Sequence, residues 1–214
     1  MSESFRGLRT SLLLSRGGRS ANSILVTSAH AGEGKTTIAV NLAISLAQLG
    51  RRVLLIDADM RRPSVHKYFP QSGSCLSAYL AGQGSWREMA HPTVVNGLYV
   101  LLSGPRPENP AELLSSDAMQ ALIREATTAY SFVVLDSPPL LDVADSRILA
   151  SLADATVLVV KSGGAPRQVV QFAESQVRSA GANLLGVVLN NIDARGDNYG
   201  YCAYGSPEYA PCQK

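Results

Sequence analysis

The segment AHAGEGKTT at residues 29–37 combines glycines with a lysine and two threonines. Gly32 and Gly34 let the backbone curl so that its N–H groups face phosphate oxygens. Lys35 would then reach the β- and γ-phosphates of a nucleotide, and Thr36 would ligate Mg²⁺. This is a P-loop, which predicts ATP and Mg²⁺ as cofactors rather than a glycine-rich turn beside a surface lysine. The predicted nucleotide-binding residues of the loop are Ala31, Gly32, Glu33, Gly34, Lys35, Thr36 and Thr37.

Two further motifs place carboxylates directly after apolar runs. Asp57 and Asp59 follow LLI, with Arg61 two residues on, and Asp136 follows FVVL. Ligands bind at the carboxyl ends of strands in open α/β sheets, so we expect these acids to face the phosphates and Mg²⁺. There they would hold the metal or accept a proton from an attacking hydroxyl. The alternative for Asp57 and Asp59 is a helix N-cap beside a solvated acid.

The elements that must position these residues follow from hydrophobic patterning. Unbroken apolar runs separated by helical segments are typical of a parallel sheet covered on both faces, so we predict a doubly wound α/β fold with a mostly parallel sheet. We expect one domain over residues 1–198 and a flexible tail over 199–214. The predicted strands are 23–28, 52–57, 98–102, 132–136, 155–161 and 184–190. The predicted helices are 2–14, 35–49, 117–130, 142–153 and 166–180.

The composition excludes several other classes of protein. With 46% hydrophobic and 17% charged residues the chain is globular, and a net charge of +2 gives no reason to expect a nucleic-acid partner. The three cysteines form neither a CxxC motif nor a Cys/His cluster, which favours a reducing cytoplasm over a disulfide or zinc scaffold. No apolar run approaches the ~20 residues that a membrane-spanning helix needs.

In their order and spacing, the P-loop, the LLIDADMR segment and the FVVLDSPP segment resemble the Walker A, A′ and B motifs of the bacterial tyrosine kinases (BY-kinases) of capsule and exopolysaccharide systems. The resemblance extends from about Glu3 to the C-terminus. It implies an ATP-dependent tyrosine autokinase in which Thr36, Asp57 and Asp136 organise Mg²⁺. The hydroxyl-activating acid would be Asp59, or Asp57 if the two exchange roles. The predicted catalytic residues are Lys35, Asp57, Asp59, Arg61 and Asp136.

Three further sites are implied by the resemblance. Asn190 is similar to the residue that reads adenine in related ATPases, although an Asn at a strand end is equally a turn former. The pattern ExxRxxR in the N-terminal helix, residues 1–15, is similar to a motif that joins BY-kinase protomers into a ring, with an octamer as the implied number; the alternative is a solvated charged face. The tail would carry the phosphoacceptors. The residues of the last two sites are Glu3, Arg6 and Arg9 for oligomerisation, and Tyr199, Tyr201, Tyr204 and Tyr209 for phosphorylation.

Two rival functions remain open. A partitioning or septum-placing switch ATPase would carry a lysine where this chain has His30. An ATP-binding scaffold without phosphotransfer would not need the intact lysine and acids of the site. The resemblance also implies a transmembrane chain-length regulator as activating partner, and hence a cytoplasmic position at the inner face of the membrane.

Overall fold

The computed structural model of the protein describes residues 3–14, 21–70, 73 and 75–192. The strands are β1 (Ser23–Ser28), β2 (Val53–Asp57), β3 (His91–Pro92), β4 (Leu98–Leu101), β5 (Phe132–Asp136), β6 (Ala155–Lys161) and β7 (Leu184–Asn190). The α-helices are α1 (Glu3–Leu14), α2 (Lys35–Ala47), α3 (Leu76–Leu80), α4 (Trp86–Met89), α5 (Pro110–Leu114), α6 (Asp117–Ala129), α7 (Asp145–Leu152) and α8 (Arg167–Ser179). A single turn of 3₁₀-helix spans Val65–Lys67.

These strands form one sheet in the order β3-β4-β2-β5-β1-β6-β7. All neighbours are parallel except β3 and β4, so the predicted doubly wound, mostly parallel fold is confirmed. Every residue of β1, β2 and β5 is buried, as expected for strands covered on both faces. Along β2, Leu54 and Ile56 pack into one core cluster, and Val53 and Leu55 pack into another on the opposite face. The carboxyl ends of β2 and β5 are thereby held rigidly side by side.

Most predicted elements are present, with four strands at the predicted bounds. The helix predicted over 142–153 is wrong at its start, because α7 begins only at Asp145. The segment before it passes the carboxyl end of β1, where the N–H groups of Leu140 and Leu141 donate to the carbonyls of Ser28 and Ala29. Those backbone bonds hold the segment in a non-helical path. The prediction also missed β3, α3, α4, α5 and the 3₁₀ turn, all five residues or shorter.

Helix α1 packs against α2 and closes one side of the core. Leu12 is buried in the cluster beneath it, and Phe5 and Leu8 pack against that cluster. The Arg9 guanidinium donates to the carbonyl oxygen of Ser45 in α2 at 2.9 Å. None of the described helices is long and apolar enough to cross a membrane.

Candidate nucleotide and phosphotransfer site

The P-loop joins β1 to α2 in a conformation that depends on its glycines. Gly32 and Gly34 have φ angles of 84° and 91°, in the left-handed region that glycine adopts without strain. Gly34 leads directly into α2, and its carbonyl accepts the N–H of Ile38 at 3.0 Å. The side chain of Glu33 turns back to accept the backbone N–H of His30 at 2.8 Å, which closes the loop on itself. The free N–H groups at the start of α2 form a site suited to an anion.

Asn190, at the end of β7, contacts this loop directly. Its side-chain N–H donates to the carbonyl oxygen of Glu33 at 2.9 Å. A Cβ atom on Gly34 would collide with the same amide group, so the glycine is required for close approach as well as for its φ angle. Asn190 therefore braces the loop, a contact that the sequence did not predict. Its predicted reading of adenine stays a prediction.

Three carboxylates lie at the carboxyl ends of two adjacent strands. Asp57 of β2 and Asp136 of β5 are register partners, and Asp59 follows two residues after Asp57. All three side chains are almost completely buried. The N–H of Ala58 donates to the backbone carbonyl of Asp136 at 2.8 Å, which extends the pairing beyond the end of β2. The structure thus brings together the three acids that the sequence predicted to share a site.

Only one of the two carboxylate oxygens of Asp57 accepts hydrogen bonds from the described residues. Its Oδ2 accepts the backbone N–H groups of Ser64 and Val65 at 3.1 and 3.0 Å. Its Oδ1 is buried and accepts no hydrogen bond from the described residues. Burial raises the pKa of Asp57 from 3.8 to about 6; the two N–H groups oppose that rise, and the neighbouring charge of Asp59 adds to it.

Asp136 has even fewer hydrogen bonds to offset its burial than Asp57. Both its carboxylate oxygens are buried, and neither receives a hydrogen bond of normal geometry from the described residues. Burial raises its pKa from 3.8 to about 8, with a further rise from the charge of Asp57. Thr36 and Lys35 lie near enough to lower the pKa, but burial outweighs them. Burying a carboxylate without partners is unfavourable, and a bound cation would offset that cost, so the position of Asp136 indicates a cation site.

The donor set fits Mg²⁺. Asp57 and Asp136 together have three carboxylate oxygens without a hydrogen-bond partner of normal geometry among the described residues, and the Thr36 side chain interacts with Asp136. Hard oxygen ligands of this kind are those that Mg²⁺ prefers. Among the described residues, no group of three or more His, Cys, Asp or Glu side chains is arranged to hold a metal alone.

Lys35 and Asp59 form an ion pair inside the site. The Lys35 Nζ lies 3.3 Å from Asp59 Oδ2, with the two side chains 13% and 2% exposed. The other oxygen of Asp59 accepts the N–H of Arg62 at 2.9 Å. The lysine ammonium is thus held at the P-loop next to the acids, within the same buried group of charges.

Arg61, which the sequence predicts to be catalytic, pairs with a carboxylate of α7. Its Nε and NH2 atoms donate to the two carboxylate oxygens of Asp145 at 2.8 and 2.9 Å. Asp145 is fully buried at the first residue of α7. Arg61 therefore ties the segment after β2 to α7, and its predicted catalytic role stays a prediction. Asp145, which the sequence did not single out, is required to hold it.

Two hydroxyl pairs near the loop were also missed from the sequence. Thr36 Oγ1 lies 3.0 Å from Ser64 Oγ, and Thr37 Oγ1 lies 2.9 Å from the Tyr68 hydroxyl. His30 makes a further contact, with its Nδ1 3.3 Å from Asp142 Oδ1. Hydroxyl pairing between distant residues carries no sequence pattern, so only the folded geometry reveals it.

The predicted oligomerisation residues lie along α1. Arg6 pairs with Glu3 within the helix at 3.1 Å, and both are exposed. Arg9 is directed to α2 of its own chain by its bond to Ser45. The four predicted phosphoacceptor tyrosines, Tyr199, Tyr201, Tyr204 and Tyr209, lie outside the described residues.

Comparison with known proteins identifies the family. A family model described as an AAA domain matches residues 21–171. Tyrosine-protein kinase YwqD of Bacillus subtilis is 41% identical over 209 residues, covering 97% of this chain and 87% of YwqD. The chain belongs to the bacterial tyrosine kinases. The predicted family resemblance is thus confirmed over nearly the whole chain.

Solved structures agree with this assignment. The kinase domain of the Escherichia coli tyrosine kinase ETK superposes with a TM-score of 0.87 and 34% identity, over 93% of this chain and 80% of that domain. The septum site-determining protein MinD of Pyrococcus horikoshii, complexed with Mg-ADP, gives a TM-score of 0.70 and 22% identity over 82% of this chain and 72% of MinD. The likeness to MinD shows the shared P-loop fold alone. At the level of sequence, the tyrosine kinases are much closer.

Proposed function

We propose that the protein is an ATP-dependent protein-tyrosine autokinase that phosphorylates tyrosines of a neighbouring protomer. The observation that carries this proposal is the group of three buried acids facing Lys35 at the P-loop of a tyrosine-kinase family member. A P-loop alone binds nucleotide. Two acids for a cation and a third acid for a hydroxyl are what phosphotransfer to a side chain requires.

The P-loop binds and orients the triphosphate of ATP. Backbone N–H groups from Gly32 to Thr37 would donate to the phosphate oxygens, and the dipole of α2 would add to them. Lys35, now paired with Asp59, would turn to the β- and γ-phosphates when ATP binds. There its positive charge stabilises the negative charge on the transferring phosphoryl group.

Thr36, Asp57 and Asp136 would hold Mg²⁺, because Asp57 and Asp136 end adjacent strands with unpartnered oxygens and Thr36 interacts with Asp136. Held by these residues, Mg²⁺ would supply positive charge to offset the negative charge of the phosphates. Binding it also requires Asp57 and Asp136 to ionise, against their raised pKa values. Nucleotide binding with Mg²⁺ should therefore release protons near neutral pH.

Asp59 is our first choice for the group that accepts the tyrosine proton. Its Oδ2 loses its partner when Lys35 turns to the phosphates, whereas Asp57 Oδ2 keeps two backbone N–H groups. The tyrosine Oη forms a bond to the γ-phosphorus, the bond from that phosphorus to the bridging oxygen of ADP breaks, and the phenolic proton passes to Asp59. Asp57 is the alternative acceptor of the proton.

The acceptors in this proposal are the tail tyrosines Tyr199, Tyr201, Tyr204 and Tyr209 of another protomer. Contact between protomers would use α1, where Glu3 and Arg6 are exposed. Arg9 contributes by holding α1 on α2, since its guanidinium bonds the Ser45 carbonyl. We propose a ring-like homo-oligomer, with an octamer as the number that the resemblance implies.

The cellular role that we propose is regulation of capsular or exopolysaccharide synthesis or export. A transmembrane chain-length regulator would activate the kinase by docking near its nucleotide face. The kinase would then act in the cytoplasm at the inner face of the membrane. These assignments derive from the family resemblance, and a pull-down of the membrane fraction with the intact chain tests for the regulator.

Phosphotransfer is tested with γ-labelled ATP and Mg²⁺. We expect label on tyrosine of the wild type, none on Lys35→Met, and none on a variant with all four tail tyrosines changed to Phe. Mixing Lys35→Met protein with the four-Phe variant should restore label on the Lys35→Met chain, because transfer between protomers needs one active site and one tail. Phosphate release without labelled protein would favour a switch ATPase, and nucleotide binding with neither would favour a scaffold.

The protomer interface is tested by light scattering of Arg6→Ala and Arg9→Ala variants. We expect Arg6→Ala to lower the mass without changing the melting temperature, since Arg6 is exposed and bonds only within its helix. Arg9→Ala should lower both, because it also loses the bond to α2. A wild-type mass in both variants would exclude these residues from the interface.

A further inference from the structure

Ser64 lies between two groups of the magnesium site, although it belongs to none of the motifs that the sequence revealed. Its hydroxyl oxygen is 3.0 Å from Thr36 Oγ1, and its backbone N–H donates to Asp57 Oδ2 at 3.1 Å. The residue is only part-buried, at the start of the 3₁₀ turn Val65–Lys67. One residue thus contacts both the P-loop and the end of β2.

The chemistry of a hydroxyl gives this contact a direction. A threonine hydroxyl has one hydrogen and two lone pairs, and it uses an oxygen lone pair when it ligates a cation. Its hydrogen then needs an acceptor on the side away from the cation. Ser64 Oγ lies 3.0 Å from Thr36 Oγ1, where it would accept that hydrogen when Thr36 ligates a cation, with a lone pair of Thr36 then turned toward the metal. We propose that Ser64 is a positioning residue that orients Thr36 as a ligand of Mg²⁺, a role that rests on the proposed kinase function.

The backbone of Ser64 supports the second ligand in the same way. The N–H groups of Ser64 and Val65 both bond Asp57 Oδ2, and this leaves Oδ1 without a partner. Partners of this kind behind a ligand fix its orientation and commonly change metal affinity by ~10–100-fold. The hydroxyl acts on Thr36 and the amide acts on Asp57, so a change of side chain separates the two effects.

A second hydroxyl pair holds the other end of the same segment. Tyr68 follows the 3₁₀ turn, and its hydroxyl lies 2.9 Å from Thr37 Oγ1. Val65, between the two contacts, is fully buried in the core. The segment is thereby attached to two successive residues of the P-loop and to the core. These contacts hold the segment independently of the Ser64 hydroxyl. Removing that hydroxyl should therefore leave the backbone of the segment in place.

The test is calorimetric titration of ADP, with Mg²⁺ and with EDTA, into the wild type and the variants Ser64→Ala and Ser64→Thr. ADP is used because it cannot be turned over. The dissociation constant in EDTA divided by that in Mg²⁺ measures how much Mg²⁺ strengthens binding. We expect Ser64→Ala to reduce that ratio by ~10–100-fold with the affinity in EDTA unchanged. Ser64→Thr should restore it because it retains the hydroxyl. Ser151→Ala, which removes an exposed hydroxyl bonded only to the carbonyl of Ile148, is the matched control and should equal the wild type.

Three outcomes would overturn the proposal or its basis. A wild-type ratio in Ser64→Ala would show that Thr36 needs no orienting partner. An equal loss of affinity in Mg²⁺ and in EDTA would show that Ser64 supports the loop fold and not the metal. A wild type that binds ADP equally well with and without Mg²⁺ would instead contradict the magnesium site, and with it the proposed function.

Discussion

Replacing Asp136 with asparagine should stabilise the nucleotide-free protein while removing its magnesium-dependent activity. Asparagine has the size of aspartic acid and carries no charge, so it removes the burial penalty without leaving a cavity. Neither oxygen of Asp136 receives a hydrogen bond of normal geometry from the described residues, and burial raises its pKa to about 8. In the unfolded chain the same group ionises near its ordinary value of 3.8.

The magnitude follows from the linkage between pKa and stability. A carboxyl whose pKa is raised on folding contributes stability below the unfolded pKa, and this contribution is lost as the pH rises through the folded pKa. With values of 3.8 and about 8, the loss at pH 7 is about 4 kcal/mol. Part of it is repulsion from Asp57, which the two acids share. We therefore expect Asp136→Asn to gain about 2–4 kcal/mol at pH 7, or about 5–10 °C in melting temperature.

The assay is thermal unfolding without nucleotide from pH 5 to pH 8. The melting temperature of Asp136→Asn should exceed that of the wild type by an amount that grows with pH, since the wild type loses stability over this range. Asp117→Asn, the same change at an exposed helix start, is the control and should stay within about 0.5 kcal/mol at every pH. A melting temperature for Asp136→Asn equal to the wild type at all pH values would refute the reasoning that the site carries a stored solvation penalty.

Three further predictions test other parts of the site. Arg61→Ala should lower the free energy of unfolding by about 2–3 kcal/mol in urea, because it leaves Asp145 buried and unpaired; a loss below about 0.5 kcal/mol would contradict this. Gly34→Ala should weaken Mg-ADP binding at least ~10-fold by calorimetry, since its φ of 91° and the contact with Asn190 exclude a side chain. Gly7→Ala, in open space on α1, should bind normally. Mg-ADP at about 100 times its dissociation constant should raise stability by about 2.7 kcal/mol, and EDTA should abolish most of this rise.

The sequence predicted the fold because its signals are local and repeated. The apolar runs of β1, β5 and β6 were identified to the residue, since buried parallel strands are continuous in sequence. The bounds of β7 were also predicted correctly from its apolar run, although this strand is only partly buried. The short elements were missed because five residues or fewer give no helical period. The position of Asp136 beside Asp57 also followed from the sequence, because parallel strands align their carboxyl ends.

Other features of the site depend on contacts between distant residues. The pairing of Arg61 with Asp145 spans 84 residues, and that of Asn190 with Glu33 spans 157. No spacing rule connects residues so far apart, so the sequence did not reveal the partners of Arg61 and Asn190. The role of Ser64 was missed for a similar reason, because a lone serine after a motif has no distinguishing chemistry until its neighbours are known.

The three acids differ in environment, and this difference supports a division of their roles. Asp136 has no hydrogen-bond partner of normal geometry among the described residues, Asp57 has partners on one oxygen, and Asp59 has a partner on each oxygen. The two acids with unpartnered oxygens are those that a cation would satisfy, and their raised pKa values oppose ionisation until it arrives. Asp59 is paired instead with Lys35, a partner that phosphate would draw away. Binding of Mg-ATP would thus give Asp57 and Asp136 a cation and free Asp59 from Lys35 at the same time. The proton acceptor would then become available only when nucleotide is bound, as a kinase requires.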